Sequence, residues 1–233
     1  MEAVEARQLT RYFGVQAALR QASFVIEAGT CVALLGRNGA GKTTLLRLLA
    51  GLQAPSEGSL RVFGEDPLQP HTRRMIGFLG HGSGLYDELS AAENLRLASR
   101  IAGMANPKDV AKEWLARIQL DRVASQSPYE FSRGMRQRLA LARVLLAKPR
   151  LLLLDEPLTA LDDRATRMAC DLLSAALQDG STIVMSTHHL SEGMQLANRI
   201  LLLARGAVAY SGERTAAMLA DPASVYSFAG ESA

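Results

Sequence analysis

Residues Gly36-Arg37-Asn38-Gly39-Ala40-Gly41-Lys42-Thr43 follow the apolar run Thr30–Leu35 and precede the helix-like run Thr44–Leu49. The spacing is G-x-x-x-x-G-K-[ST], the pattern of a phosphate-cradling turn. It commits the chain to an α/β fold. A continuous apolar run without polar alternation suits a strand buried on both faces, as parallel sheets covered by helices require. The glycines let backbone N–H groups turn inward around phosphate oxygens, and the helix that follows offers its positive dipole end. Residues Gly36 to Thr44 are therefore expected to hold a nucleotide's phosphates. Lys42 reaches the β- and γ-phosphates and the Thr43 hydroxyl ligates Mg²⁺. A chance glycine-rich turn would lack the strand before it and the helix after it.

A second apolar run, Leu151–Leu154, ends in Asp155-Glu156-Pro157. Two carboxylates at the C-terminal tip of a buried strand stand where parallel α/β sheets bind ligands. Alone the pattern is weak, because carboxylates often merely cap strands. Beside the phosphate turn it assigns Asp155 to Mg²⁺ and Glu156 to an attacking water.

The rest of the chain alternates. Ala22–Ile26, Leu60–Phe63, Met75–Leu79, Thr182–Ser186 and Ile200–Leu203 read as strands, and Arg164–Leu177 as a helix. From Ala91 to Ala147 the pattern is helical. Ser90 with Glu93 three residues on resembles a capping box for a helix through about Ile101. Asn106-Pro107 opens a helix to about Leu120, and another follows Phe131-Ser132. The expected domain is thus single, 1–233, with a helical subdomain over about 82–150.

Composition narrows the function classes. The 233 residues carry a net charge of +3, too small for an electrostatic footprint on nucleic acid. The longest uncharged stretches, Met75–Tyr86 and Gly180–Ser191, are far shorter than a membrane span. The first ten residues lack the basic-then-apolar run of a signal peptide. The two cysteines, Cys31 and Cys170, have no metal spacing, as in a reduced compartment. A cytoplasmic protein is expected.

The segment Phe131-Ser132-Arg133-Gly134-Met135-Arg136-Gln137-Arg138 offers a second anion site, with Ser132 and the following N–H groups at a helix start. On its own, Ser132 would read as an ordinary N-cap. With the two motifs above, the segment resembles the signature of ATP-binding-cassette ATPases, and the resemblance covers nearly the whole chain. It implies a RecA-like P-loop ATPase core with a small N-terminal antiparallel β subdomain and an inserted α-helical subdomain. It implies ATP and Mg²⁺ as ligands. It further implies that Ser132 and Gly134 face a nucleotide on a second copy, in a head-to-tail homodimer closed by ATP. Thr159-Ala160-Leu161-Asp162 looks like the family's D-loop, with Asp162 as its acidic residue. His188, at the end of Thr182–Ser186, takes the position of the switch histidine, with His189 as its neighbouring rival. Phe13, with Tyr12 as the alternative, takes the position of the aromatic that stacks on adenine.

The sequence departs from the family pattern at three places. Gly80-His81 stands where a glutamine is usual, Arg133 and Met135 replace a glycine and a glutamine of the signature, and Arg37 fills a tolerant position in the phosphate turn. His81 is therefore the Q-loop equivalent. The resemblance implies a subunit that recruits integral membrane permease subunits and sits on the inner face of the cell membrane, with no nucleic acid partner. Leu79-Gly80-His81, Leu85-Tyr86, Leu89-Ser90, Glu93-Asn94-Leu95 and the signature segment look most like the haem-exporter branch that serves cytochrome c maturation. Drug and polysaccharide exporters share Gly134-Met135 and Glu93-Asn94-Leu95. A soluble cassette acting on ribosomes or DNA would usually carry two cassettes or a coiled-coil insertion. A P-loop small-molecule kinase leaves Ser132 and His188 unexplained.

Overall fold

The computed structural model describes residues 1–187 and 190–230. The elements run β1 (Glu2–Phe13), β2 (Gln16–Glu27), β3 (Cys31–Leu35), α1 (Lys42–Leu49), β4 (Glu57–Val62), α2 (Pro70–Arg73) and β5 (Ile76–Leu79). They continue with α3 (Ala91–Ile101), α4 (Pro107–Arg117), α5 (Arg133–Leu145), β6 (Leu151–Asp155), α6 (Asp163–Gln178), β7 (Thr182–Ser186) and α7 (Leu190–Leu196). The last are β8 (Arg199–Ala204), β9 (Ala207–Glu213) and α8 (Ala216–Ala220). Among the described residues there are two sheets. One is antiparallel, in the order β2-β1-β4, and the other has the order β5-β6-β7-β3-β8-β9. The second is parallel from β5 to β8, and β9 returns antiparallel on β8.

The unbroken apolar runs are explained by burial on both faces. Along β3, Cys31, Ala33 and Leu35 enter a core shared with the helices α3 to α7. Val32 and Leu34 enter a second core with α1 and the antiparallel sheet. The same split sends Leu152 and Leu154 of β6 one way, and Leu151 and Leu153 the other. Helix α1 brings Leu45, Leu46, Leu48 and Leu49 into the second core, between the two sheets. Its start, and with it the phosphate turn, is held rigidly from both sides.

The α/β layout, the antiparallel sheet and the helices between β5 and β6 agree with the expected fold class. Two details differ. β2 extends back to Gln16, because Leu19, Ala22, Phe24 and Ile26 share the buried face while the charged and polar residues between them face solvent. β1 gave no sequence signal at all. Its register on β2 shifts repeatedly and Gln8 sits at φ 48°, so its buried residues do not alternate cleanly. Helix α4 stops at Arg117 rather than near Leu120. Gln119 takes φ 55°, and the Leu120 N–H donates to the Leu115 carbonyl at 2.8 Å, closing the end in the manner of a Schellman turn.

The capping box of α3 is present. Ser90 Oγ accepts from the Glu93 N–H at 3.2 Å, and the Ser90 N–H donates to Glu93 Oε2 at 2.8 Å. The Ser90 hydroxyl also donates to Glu93 Oε2 at 2.7 Å, and this bond, with the one from the Ser90 N–H, holds the Glu93 carboxyl below its ordinary pKa. Ser90→Ala is expected to cost about 1 kcal/mol of stability, the usual worth of such a cap. A denaturant midpoint that shifts while nucleotide affinity stays constant is the check.

Candidate nucleotide site

The phosphate turn emerges at the C-terminal edge of β3, beside the tips of β6 and β7. A cavity of about 220 Å³ is lined by Ala18, Asn38, Gly39, Ala40, Gly41, Lys42, Thr43, Thr44, Asp155 and Glu156. Gly41 caps α1 at φ 105°, and a Cβ there would lie 2.6 Å from the Ala18 carbonyl oxygen. Only glycine fits both demands. The β2 backbone thus presses on the turn and shapes it.

Lys42 is 8% exposed, and its ammonium donates to the carbonyls of Gly36 at 2.6 Å and Arg37 at 3.2 Å. Burial lowers its pKa, and the charges of Glu156 and Asp155 oppose that shift. An arriving polyphosphate would favour the charged form further and exchange carbonyl partners for stronger, charged ones.

Asp155 is the buried hub. Its Oδ2 accepts from the Thr43 hydroxyl at 2.8 Å and its Oδ1 from the Ser186 hydroxyl at 2.6 Å. Thr43 and Asp155 together offer two hard oxygen donors at one point. That fits Mg²⁺, which binds through one or two carboxylates and takes its remaining ligands from phosphate and water.

Glu156 follows at φ 56°, outside the regions that non-glycine residues favour. Hydrogen bonds at its N–H, its carbonyl and its carboxylate hold it there, the carbonyl accepting from the Thr159 N–H at 3.3 Å as well as from Gln137. Its N–H donates to the Ser186 hydroxyl at 3.0 Å and to the Ser186 carbonyl at 3.2 Å. Its own carbonyl accepts from Gln137 Nε2 at 3.3 Å, and its Oε2 from the Thr159 hydroxyl at 3.2 Å. The carboxylate is thereby placed on the phosphate cavity, one residue beyond the Mg²⁺-fitting group.

The signature segment lies elsewhere on the surface. Ser132 is exposed at the N-cap of α5, where its Oγ accepts from the Met135 N–H at 3.3 Å. It does not line the phosphate cavity. A Cβ on Gly134 would sit 3.0 Å from the Ala160 carbonyl oxygen, so a side chain there would press on the loop after β6. Asp162 caps α6 by accepting from the Ala165 N–H at 2.7 Å. His81 is exposed after β5. Phe13 is 47% exposed at the end of β1, its ring 5.0 Å from the Arg11 guanidinium carbon. Tyr12 lines a separate open cavity with Val15, Gln16 and Glu57. His188 and His189 lie outside the described residues.

The sites split into two groups. Gly36 to Thr44, Asp155 and Glu156 converge on one cavity, whereas Ser132, Gly134 and Asp162 cluster around α5 and the loop that precedes α6. Sequence reasoning gave no role to Ser186 or to the Gln137 side chain. Ser186 pairs in register with Asp155, and a lone hydroxyl ending an apolar strand beside a carboxylate-tipped one was its available signal.

The family model described as ABC transporter matches residues 19–159. The chain is 37% identical over 198 residues to an uncharacterized ABC transporter ATP-binding protein, YxlF of Bacillus subtilis, covering 84% of this chain and 66% of that protein. It is 37% identical over 213 residues to the spermidine/putrescine import ATP-binding protein PotA of Nitrosospira multiformis, covering 89% and 58%. It is 42% identical over 187 residues to the cytochrome c biogenesis ATP-binding export protein CcmA 2 of Cupriavidus metallidurans, covering 79% and 89%. The chain thus spans less than two thirds of the length of several curated relatives it matches. A solved ATP-binding subunit of an ABC transporter superposes with a TM-score of 0.85 at 28% identity, covering 99% of this chain and 95% of that one. The dimeric bacterial ABC transporter cassette MJ0796 superposes with a TM-score of 0.83 at 28% identity, covering 91% and 99%.

Proposed function

The chain belongs to the ABC transporter family, and on that premise we propose that it is the ATP-hydrolysing subunit of a membrane exporter. One observation carries the catalytic part. Lys42, Thr43, Asp155 and Glu156 line a single cavity at the end of a glycine turn, with Thr43 bonded to Asp155. Hydrolysis of the γ-phosphate needs little covalent chemistry from the protein. It needs positioning, charge neutralisation and an oriented water. The N–H groups of the turn and Lys42 bind and orient the phosphates. Thr43 and Asp155 would hold Mg²⁺, which neutralises phosphate charge when bound. Glu156 accepts the proton of the attacking water, His188 senses the γ-phosphate, and Phe13 stacks on the adenine.

Ser132 and Gly134 complete the site of a second copy in a homodimer closed by ATP. This accounts for an anion-binding helix start that lies away from its own chain's phosphate cavity, and it accords with the dimeric form of MJ0796. Asp162 sits at the same seam. Closure and opening would move permease subunits through the loop that carries His81, on the inner face of the membrane. Residues 82–150 form the helical subdomain of this single domain, 1–233. No described helix is long and apolar enough to cross a membrane.

For cargo we favour haem export in cytochrome c biogenesis. The reading rests on Leu79–Leu95 with His81, and on the similarity to CcmA 2. Importers such as PotA are also relatives, and a drug or polysaccharide exporter is the second reading. If cargo is haem, a strain lacking this chain should make apocytochromes without covalent haem, and a Lys42→Ala copy should not rescue them. Normal haem-stained c-type cytochromes in that strain would remove the haem assignment and leave the ATPase assignment intact.

A further inference from the structure

We propose that Gln137 is a positioning residue for hydrolysis, holding the Glu156 backbone from the flank of the signature helix. The inference rests on Glu156 being the proton acceptor. The Gln137 amide donates to two consecutive carbonyls, Glu156 at 3.3 Å and Pro157 at 2.9 Å. These carbonyls follow a residue at φ 56°, a conformation that persists only where the surroundings over-determine it. Ser186 grips the same residue from the opposite side, through its N–H. Glu156 is therefore clamped between β7 and α5.

Helix α5 has further anchors. Arg136 Nη1 donates to the Pro128 carbonyl at 2.7 Å and pairs with Asp87 at 2.8 Å. Arg138 Nη1 donates to the Ile118 carbonyl at 2.7 Å. Three consecutive side chains thus tie one turn of α5 to four other segments of the chain, and Gln137 is the one that reaches the base. Ser132 caps the same helix five residues earlier, about 1.4 turns away. A displacement of the helix start would pass along the rod to the Glu156 carbonyl through this amide. Neither Gln137 nor Pro157 lines the phosphate cavity, and the amide grips backbone rather than any phosphate-binding side chain, so losing it should disturb the orientation of the base and not nucleotide binding.

The test is a double-mutant cycle on the purified chain, reading kcat, KM and ATP affinity separately. Gln137→Met keeps the length of the side chain and removes the donor. kcat is expected to fall about 10-fold while ATP affinity stays within about 2-fold. In the Glu156→Gln background the same change is expected to lower the residual rate by less than about 2-fold, because no base remains to be oriented. Should Gln137→Met fail to fold in a thermal melt, Gln137→Ala carries the cycle, since the site is half-buried in a helix that tolerates alanine. An unchanged kcat, a matching loss of ATP affinity, or an equal fall in both backgrounds overturns the assignment. If the Glu156→Gln variant itself turned over normally, the failure would lie with the base and not with Gln137.

Discussion

Glu156→Gln is expected to bind ATP normally and hydrolyse it at least about 10²-fold more slowly, the usual scale of a lost general base. The substitution keeps size and shape and removes only the proton acceptor. The contacts that fix this residue at φ 56° come mainly from its backbone, to Ser186 and Gln137, so they survive. The Thr159 hydroxyl can still donate to the amide oxygen of the new side chain. Lys42 loses one of the two carboxylates that favour its charged form, and Asp155 remains. Nucleotide affinity by equilibrium dialysis should therefore stay close to that of the unaltered chain while steady-state phosphate release collapses. Turnover near the unaltered rate would take the role from Glu156 and return the search to the other groups on the cavity.

The part of this site that could be read from sequence is the part built from contiguous residues. Gly36 to Thr43 form one turn, and their spacing alone states their geometry. Asp155 and Glu156 were legible because an apolar run with no alternation must be a strand buried on both faces, whose tip then reaches the ligand edge of the sheet. The grip on Glu156 was not legible. It depends on Ser186, which register places opposite Asp155, and on Gln137, which tertiary packing brings against the carbonyls of Glu156 and Pro157. Neither contact leaves a trace in spacing along the chain. β1 was hidden for a different reason. Its bulges break the period of two that identifies a half-buried strand, so Leu9 and Thr10 are both buried as neighbours.

Ser132→Arg is expected to abolish ATP-dependent dimerisation while leaving ATP binding by the same chain intact. Ser132 is exposed at the start of α5 and lies off the phosphate cavity, so its own chain's Lys42 should bind nucleotide as before. An arginine there fills the space in front of the helix N-terminus, where a second copy's γ-phosphate would approach. The substitution also removes the N-cap bond to the Met135 N–H, at a cost of about 1 kcal/mol. Ser132→Ala separates the loss of the cap and of the hydroxyl from the blockage, because it leaves the surface open. In the Glu156→Gln background, which should accumulate the ATP-bound form, light scattering is expected to report dimers for the parent, fewer or weaker dimers for Ser132→Ala, and monomers for Ser132→Arg. Dimers of undiminished stability in the arginine variant would mean that the two copies meet through some other face, and the signature segment would revert to an ordinary capped helix.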